Sequence, residues 1–186
     1  MDRRGVAEIC TVADSPSSEG CWIRLAVERY EQPLVLYAAR LLRDGDGARD
    51  VVQEVFCRLC RQRRDRVGDH LAEWLYAVCR NVALDLIRKD RRMKPLSTTI
   101  ASADSMRAPA ANDSAREADL RESTSRVQTA LKDLPAKQQE VVRLKFQHGL
   151  SYRQISAVTH ESVSNVGYLL HHGLKTLRHK LACEAD

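Results

Sequence analysis

The sequence predicts an all-α protein of two small helical domains joined by a flexible linker, the C-terminal one a helix-turn-helix. Three observations carry that expectation. The 186-residue chain is rich in Ala, Leu, Val and Arg and only 5% aromatic, which suits helices better than sheets. Apolar residues recur at helical spacing through residues 21–94 and again through 121–183. Between them, residues 95–120 ("PLSTTIASADSMRAPAANDSAREADL") are small and polar, with too little apolar mass to offset their ordering entropy. The expected organisation is a flexible segment over 1–20, a domain over 21–94, a linker over 95–120 and a domain over 121–186.

In the first domain, Trp22–Leu42 has a helical pattern that Pro33 is expected to bend or restart. "RDGDG" (43–47) is a turn. Its aspartates invite a calcium-loop reading, which fails because Ala48 and Arg49 stand where an oxygen ligand and the turn glycine belong. A helix follows from Ala48 to Arg64, with Val51, Val52, Val55, Phe56 and Leu59 along one side. Asp50, Gln53, Glu54 and Cys57 fall at i, i+3, i+4 and i+7 on the opposite side. A solvated face accounts for such a stripe. Dipole matching does not, because it acts only over the first turn and this stripe reaches mid-helix.

A third helix runs from His70 to Arg92, with Leu71, Trp74, Leu75, Val78, Val82 and Leu86 toward the core. Asn81, Asp85, Arg88 and Arg92 form a second stripe, continued by Lys89, Arg91 and Lys94. One or two cations suffice to cap a helix C-terminus, so five favour nucleic-acid phosphate. Trp22, Trp74 and Tyr76 are stacking candidates for unpaired bases, with core packing the expected place of Trp74.

The second domain opens with a short helix ending near Lys132. A second helix has Pro135 at its first position and Gly149 at its end. Ser151 and Gln154 form a capping box for a third, and after the break "THE" comes the long helix "SVSNVGYLLHHGLKTLRHKL". Two helices joined by a short turn, the second longer, fit a helix-turn-helix. Val163, Val166, Leu170, Leu174, Leu177 and Leu181 mark its inner side, and Ser164, Asn165, Tyr168, His172, Lys175 and His179 its outer one. The first three turns hold no Lys or Arg. Short donors and acceptors read base edges there, and Lys145, Arg153, Lys175 and Arg178 supply the attraction to phosphate. A helical hairpin that binds protein is the competing reading.

Charge and cysteines narrow the function classes. With 30 Lys+Arg against 25 Asp+Glu the chain is modestly basic at +5, which raises nucleic acid as a partner without deciding it. No apolar run approaches the roughly 20 residues that span a bilayer, and residues 1–20 lack the apolar core of a secretory signal. A cytoplasmic protein without membrane insertion is expected, its six cysteines reduced. Cys57 and Cys60 form a CxxC, but no second pair lies at finger spacing, so no metal is assigned. There is no nucleophile–base pair, Gly-rich phosphate loop or cofactor motif. No catalytic residue, cofactor or enzymatic activity is expected.

Three segments together carry a resemblance: "ARDVVQEVFCRLCR" (48–61), "EWLYAVCRNVALDLIRKDRR" (73–92) and "LKDLPAKQQEVVRLKFQHGLSYRQIS" (131–156). In this order they resemble the extracytoplasmic-function (ECF) group of the sigma-70 family of bacterial RNA polymerase sigma factors. The resemblance implies that Asp50, Gln53, Glu54 and Phe56 dock on the clamp helices of the largest subunit of core RNA polymerase. It implies that Asn81, Asp85, Arg88, Arg91 and Arg92 engage and help open the promoter −10 element. The loop Arg66–Asp69 falls where the family captures a flipped base. It further implies a −35 reader made of Arg153, Ser162, Ser164, Asn165, Tyr168, His172, Lys175 and Arg178. One departure stands out, since many family members carry basic residues where this chain has Gly167, Tyr168 and Leu169. An anti-sigma factor is an expected partner on the same ground.

Each domain alone is expected to bind promoter DNA weakly, and tethering makes the second contact intramolecular. As a Gly/Ser-like coil, the 26 residues from 95 to 120 span roughly 28 Å and reach about 85 Å fully extended. Promoter elements two helical turns apart lie roughly 70 Å from each other. A polymerase must hold the linker stretched. The alternatives are a stand-alone helix-turn-helix regulator and a sigma-mimicking interaction protein.

Overall fold

A computed structural model describes residues 18–93 and 115–183, with side chains over 21–90, Arg92 and 124–182, and every regular element among them is helical. The chain divides into two compact units, within 1–103 and within 104–186.

The first unit contains α1 (Ser18–Leu42), α2 (Gly45–Leu59), the single turn α3 (Arg64–Val67), a 3-10 turn (Gly68–His70) and α4 (Leu71–Met93). Helices α1, α2 and α4 pack on one another pairwise. Helix α1 continues through Pro33 instead of restarting there. A proline inside a helix costs about 3 kcal/mol. Leu34, Val35, Tyr37 and Ala38, the residues that follow it, are buried, and each large apolar side chain returns roughly 1.5–3 kcal/mol. Tertiary burial therefore overrides the breaker.

The "RDGDG" turn acts as a helix start. Asp44 has extended backbone and caps α2, its carboxylate accepting from the amides of Asp46 and Gly47 at 3.1 Å each. Helix α2 ends at Leu59, short of the expected Arg64, and the amides of Arg61 and Gln62 close tight turns onto Arg58 and Leu59. That stop lets the chain turn and bury Val67.

The core face of α4 differs from the expected one. Leu75, Tyr76, Cys79 and Ala83 are buried, whereas Leu71, Trp74, Val78, Val82 and Leu86 are half-buried on its flanks. Counting large residues as core misplaces the stripe, because small Cys79 and Ala83 occupy the line where the helices meet. Tyr76 packs edge-on against Tyr37, ring centroids 5.4 Å apart. Burial raises the pKa of the Tyr76 hydroxyl and pushes the Cys79 thiol up to about 12.

The second unit contains α5 (Ala115–Lys132), α6 (Ala136–Phe146), α7 (Tyr152–Thr159) and α8 (Val163–Cys183). Helix α5 starts inside the stretch read as linker, whose last residues (Ala, Arg, Glu, Ala, Asp, Leu) are mostly good helix formers. The rest of that stretch, like residues 1–17, lies outside the described residues. Pro135 precedes α6 as its cap residue, and Gly149, at φ +69°, turns the chain after it. The Ser151/Gln154 capping box is formed in both directions. His160 adopts the left-handed conformation that ends α7, and Ser162 accepts from the Asn165 amide at 3.1 Å to start α8. Helix α8 packs on α5, α6 and α7. It buries Val166, Leu169, Leu170, Gly173 and Leu177, while Val163, expected inside, is exposed. The Lys180–Asp133 ion pair fastens its far end to the turn after α5.

Two outcomes follow from these cores. Asp44→Ala should cost the first unit about 1 kcal/mol. Urea unfolding read by tryptophan fluorescence isolates that unit, because the two tryptophans, Trp22 and Trp74, both lie in it; an unchanged midpoint contradicts the cap. With iodoacetamide at about pH 8, exposed Cys21, Cys57 and Cys60 should alkylate well before Cys79, whose thiol is buried and held protonated. Peptide mapping that finds Cys79 modified as fast as the others contradicts that core.

Candidate functional site

The outward face of α2 follows from its buried one. With Ala48, Val51, Val52, Val55 and Leu59 inside, Asp50, Gln53 and Cys57 stand exposed, and Glu54 and Phe56 are half-buried at the edge. Glu54 is not a bare carboxylate, since Arg58 Nε donates to its Oε1 at 2.8 Å one turn on. An i,i+4 pair on an exposed face is worth about 0.3–0.5 kcal/mol, so an incoming partner can displace it cheaply. This pairing was readable from the four-residue spacing but was missed.

The stretch Arg66–Asp69 is not an open loop. It is the end of α3 and a 3-10 turn, anchored by buried Val67, with Arg66 and Asp69 exposed. Of the stacking candidates, Trp22 (7% exposed) and Tyr76 (2%) are core residues and offer no open ring face. Both sit where α1 or α4 turns inward, and size alone hid that from the sequence.

On α4, Asn81, Asp85, Arg88 and Arg92 are all exposed along one stripe, as their spacing requires. Arg88 Nη1 donates to Asp85 Oδ1 at 3.0 Å, an ion pair open to water. Lys89 is exposed beside them, and the Arg91 side chain lies outside the described residues.

In the second unit, Arg153, Ser162, Ser164, Tyr168, Lys175 and Arg178 are exposed, while Asn165 and His172 are half-buried. Tyr168 is 58% exposed and lies 4.1 Å from the His172 ring, one turn along α8. Lys145 keeps its charge while it is engaged within its own unit. Its Nζ donates to the Leu150 carbonyl at 3.3 Å and sits 5.4 Å from the Tyr152 ring, so it closes the turn after α6. Gly167 faces Tyr152, whose Cε2 would lie 4.0 Å from an added Cβ.

The sequence reading overlooked Glu161. Its Oε1 accepts from Lys137 Nζ at 2.7 Å and its Oε2 from Asn165 Nδ2 at 2.6 Å. Its backbone carbonyl accepts from Ser156 Oγ at 2.6 Å. The i,i+4 spacing to Asn165 was visible in "ESVSN", but the link to Lys137, 24 residues away, was not. The head of α8 thus presents polar groups and one paired carboxylate, with no cation before Lys175.

Among the described residues, no group of three or more His, Cys, Asp or Glu side chains is placed to hold a metal ion. No described helix is long and apolar enough to cross a membrane. The arrangement is therefore two exposed polar stripes on one unit and a helix-turn-helix on the other.

Comparisons with known proteins coincide with these units. Residues 26–93 match the family model for sigma-70 region 2, and residues 124–177 that for sigma-70 region 4. The chain is similar to the ECF RNA polymerase sigma factor SigL of Mycobacterium tuberculosis, 26% identical over 170 residues, covering 90% of this chain and 93% of that protein. It is also similar to SigX of Bacillus subtilis, at 27% identity over 83% of this chain and 81% of the relative. SigE of Mycolicibacterium smegmatis is 29% identical over 84% of this chain and 60% of the relative. The chain belongs to the sigma-70 family of RNA polymerase sigma factors, in its extracytoplasmic-function group, and directs promoter-specific transcription initiation.

Proposed function

We propose that the first domain, residues 21–94, docks on the clamp helices of core RNA polymerase through Asp50, Gln53, Glu54 and Phe56. In the same reading Arg66, Asn81, Asp85, Arg88, Arg91 and Arg92 engage the −10 element and help open it. The second domain, residues 121–186, reads the −35 element through Arg153, Ser162, Ser164, Asn165, Tyr168, His172, Lys175 and Arg178. The stripe on α4 supports this most directly: four polar residues over three turns stand exposed, with their cations at the C-terminal end. A stand-alone helix-turn-helix regulator has no use for the region 2 match over 26–93.

The proposed work is non-covalent. Trapping unstacked bases lowers the cost of opening by a few kcal/mol per base, and no bond to DNA forms. The protein acts where promoters are, in the cytoplasm, and an anti-sigma factor that masks the two domains completes its partners.

Capture of the full chain by core polymerase tests the docking face. Gln53→Ala/Glu54→Ala should weaken it by about tenfold, the size expected when central interface groups are removed. Equal capture of variant and parent contradicts the assignment, and helical circular dichroism checks that the variant folds. For the second domain, Lys175→Ala should weaken holoenzyme binding to all promoter sequences alike and reduce the salt slope by about 1. A loss confined to particular −35 sequences would contradict a phosphate role for Lys175.

A further inference from the structure

We propose that Glu161 is a positioning residue for promoter specificity: it orients the Asn165 amide so that the carbonyl oxygen is the group offered to DNA. This deepens the assignment of α8 as the −35 reader and rests on it.

A free asparagine presents either its carbonyl or its amino group to a base edge, and rotation about its last bond exchanges them. Here Asn165 Nδ2 donates to Glu161 Oε2 at 2.6 Å, a charge-assisted bond. The reverse orientation would set the amide oxygen against a carboxylate, two acceptors facing each other. Asn165 Oδ1 has no hydrogen bond to any described residue, and it stands on the stripe shared with exposed Tyr168.

The carboxylate is held from two helices, Lys137 on α6 binding one oxygen and Asn165 on α8 the other, while Ser156 on α7 fixes the Glu161 backbone carbonyl. Glu161 is only 21% exposed as a side chain, so this arrangement persists more readily than an open surface pair.

A fixed acceptor discriminates among bases. In the major groove adenine and cytosine offer an exocyclic amine, whereas guanine and thymine offer acceptors, with thymine adding a methyl group. Asn165 should therefore favour adenine or cytosine at the base it meets. Lys137 offsets the charge of that carboxylate, and α8 itself carries no Lys or Arg until Lys175.

The test uses the full chain assembled with core polymerase on a promoter library randomised across the −35 element, with transcripts sequenced. Asn165→Ala identifies the base pair that Asn165 reads. Glu161→Gln should relax the adenine-or-cytosine preference at that same base pair by about fivefold to tenfold, since an amide can pair with either orientation of Asn165. Preferences at other positions should stay. Lys137→Met removes the ion pair but leaves the Asn165 contact, so it should keep the preference even if the domain melts earlier. The proposal is overturned if Glu161→Gln leaves that preference intact, relaxes every position equally, or is matched by Lys137→Met. If Asn165→Ala changes no position at all, the assignment of α8 as reader fails first, which is a distinct outcome.

Discussion

A Cβ on Gly173 would lie 3.0 Å from Val142 Cγ2, and Ala38, Ala48, Cys79 and Ala83 have no exposed surface. In the second unit α8 comes close to α6 at a glycine, and in the first unit small side chains share the core with Leu34, Val55, Leu59 and Leu75. Small side chains let helices come close and neighbouring Leu and Val side chains interlock. That packing also fixes how each helix is rotated. Once the small-residue line faces inward, the residues on the far side have no choice but to face water. The stripes at Asp50/Gln53, at Asn81/Asp85/Arg88/Arg92 and at Ser164/Tyr168/Lys175 are the outer consequences of inner packing.

Some residues on or beside those stripes are paired. Glu54 pairs with Arg58, Asp85 with Arg88, and Asn165 with Glu161. The first two are exposed pairs of little energetic weight, so a partner can exchange them without much loss. The third is half-buried and tied into two other helices, so it is the one that shapes what a partner meets. The chain thus separates attraction from selection. Cations gather on α4 and late on α8, and α8 itself carries no Lys or Arg before Lys175.

Much of this was legible in residues alone. The capping box at Ser151 and Gln154, the outward stripe on α4 and the helix-turn-helix follow from spacing, because each is set by contacts within one or two turns. What failed was set by contacts across helices. Pro33 does not restart α1, because the buried residues after it outweigh its lost hydrogen bond. The inner line of α4 passes through Cys79 and Ala83, which a search for large side chains passes over. Glu161 reads as part of a break until Lys137 arrives from another helix. Local periodicity carries the elements, while the site's finer electrostatics come from pairings that spacing does not encode.

On the proposed tethering, two weak DNA contacts become selective only when one chain spans both on the polymerase. The most direct measurement places a specific protease site between residues 94 and 115 and compares start-site selection by holoenzyme before and after cleavage. Cleavage should remove discrimination among −35 sequences while core binding by the first unit survives. Undiminished −35 discrimination after complete cleavage would contradict it.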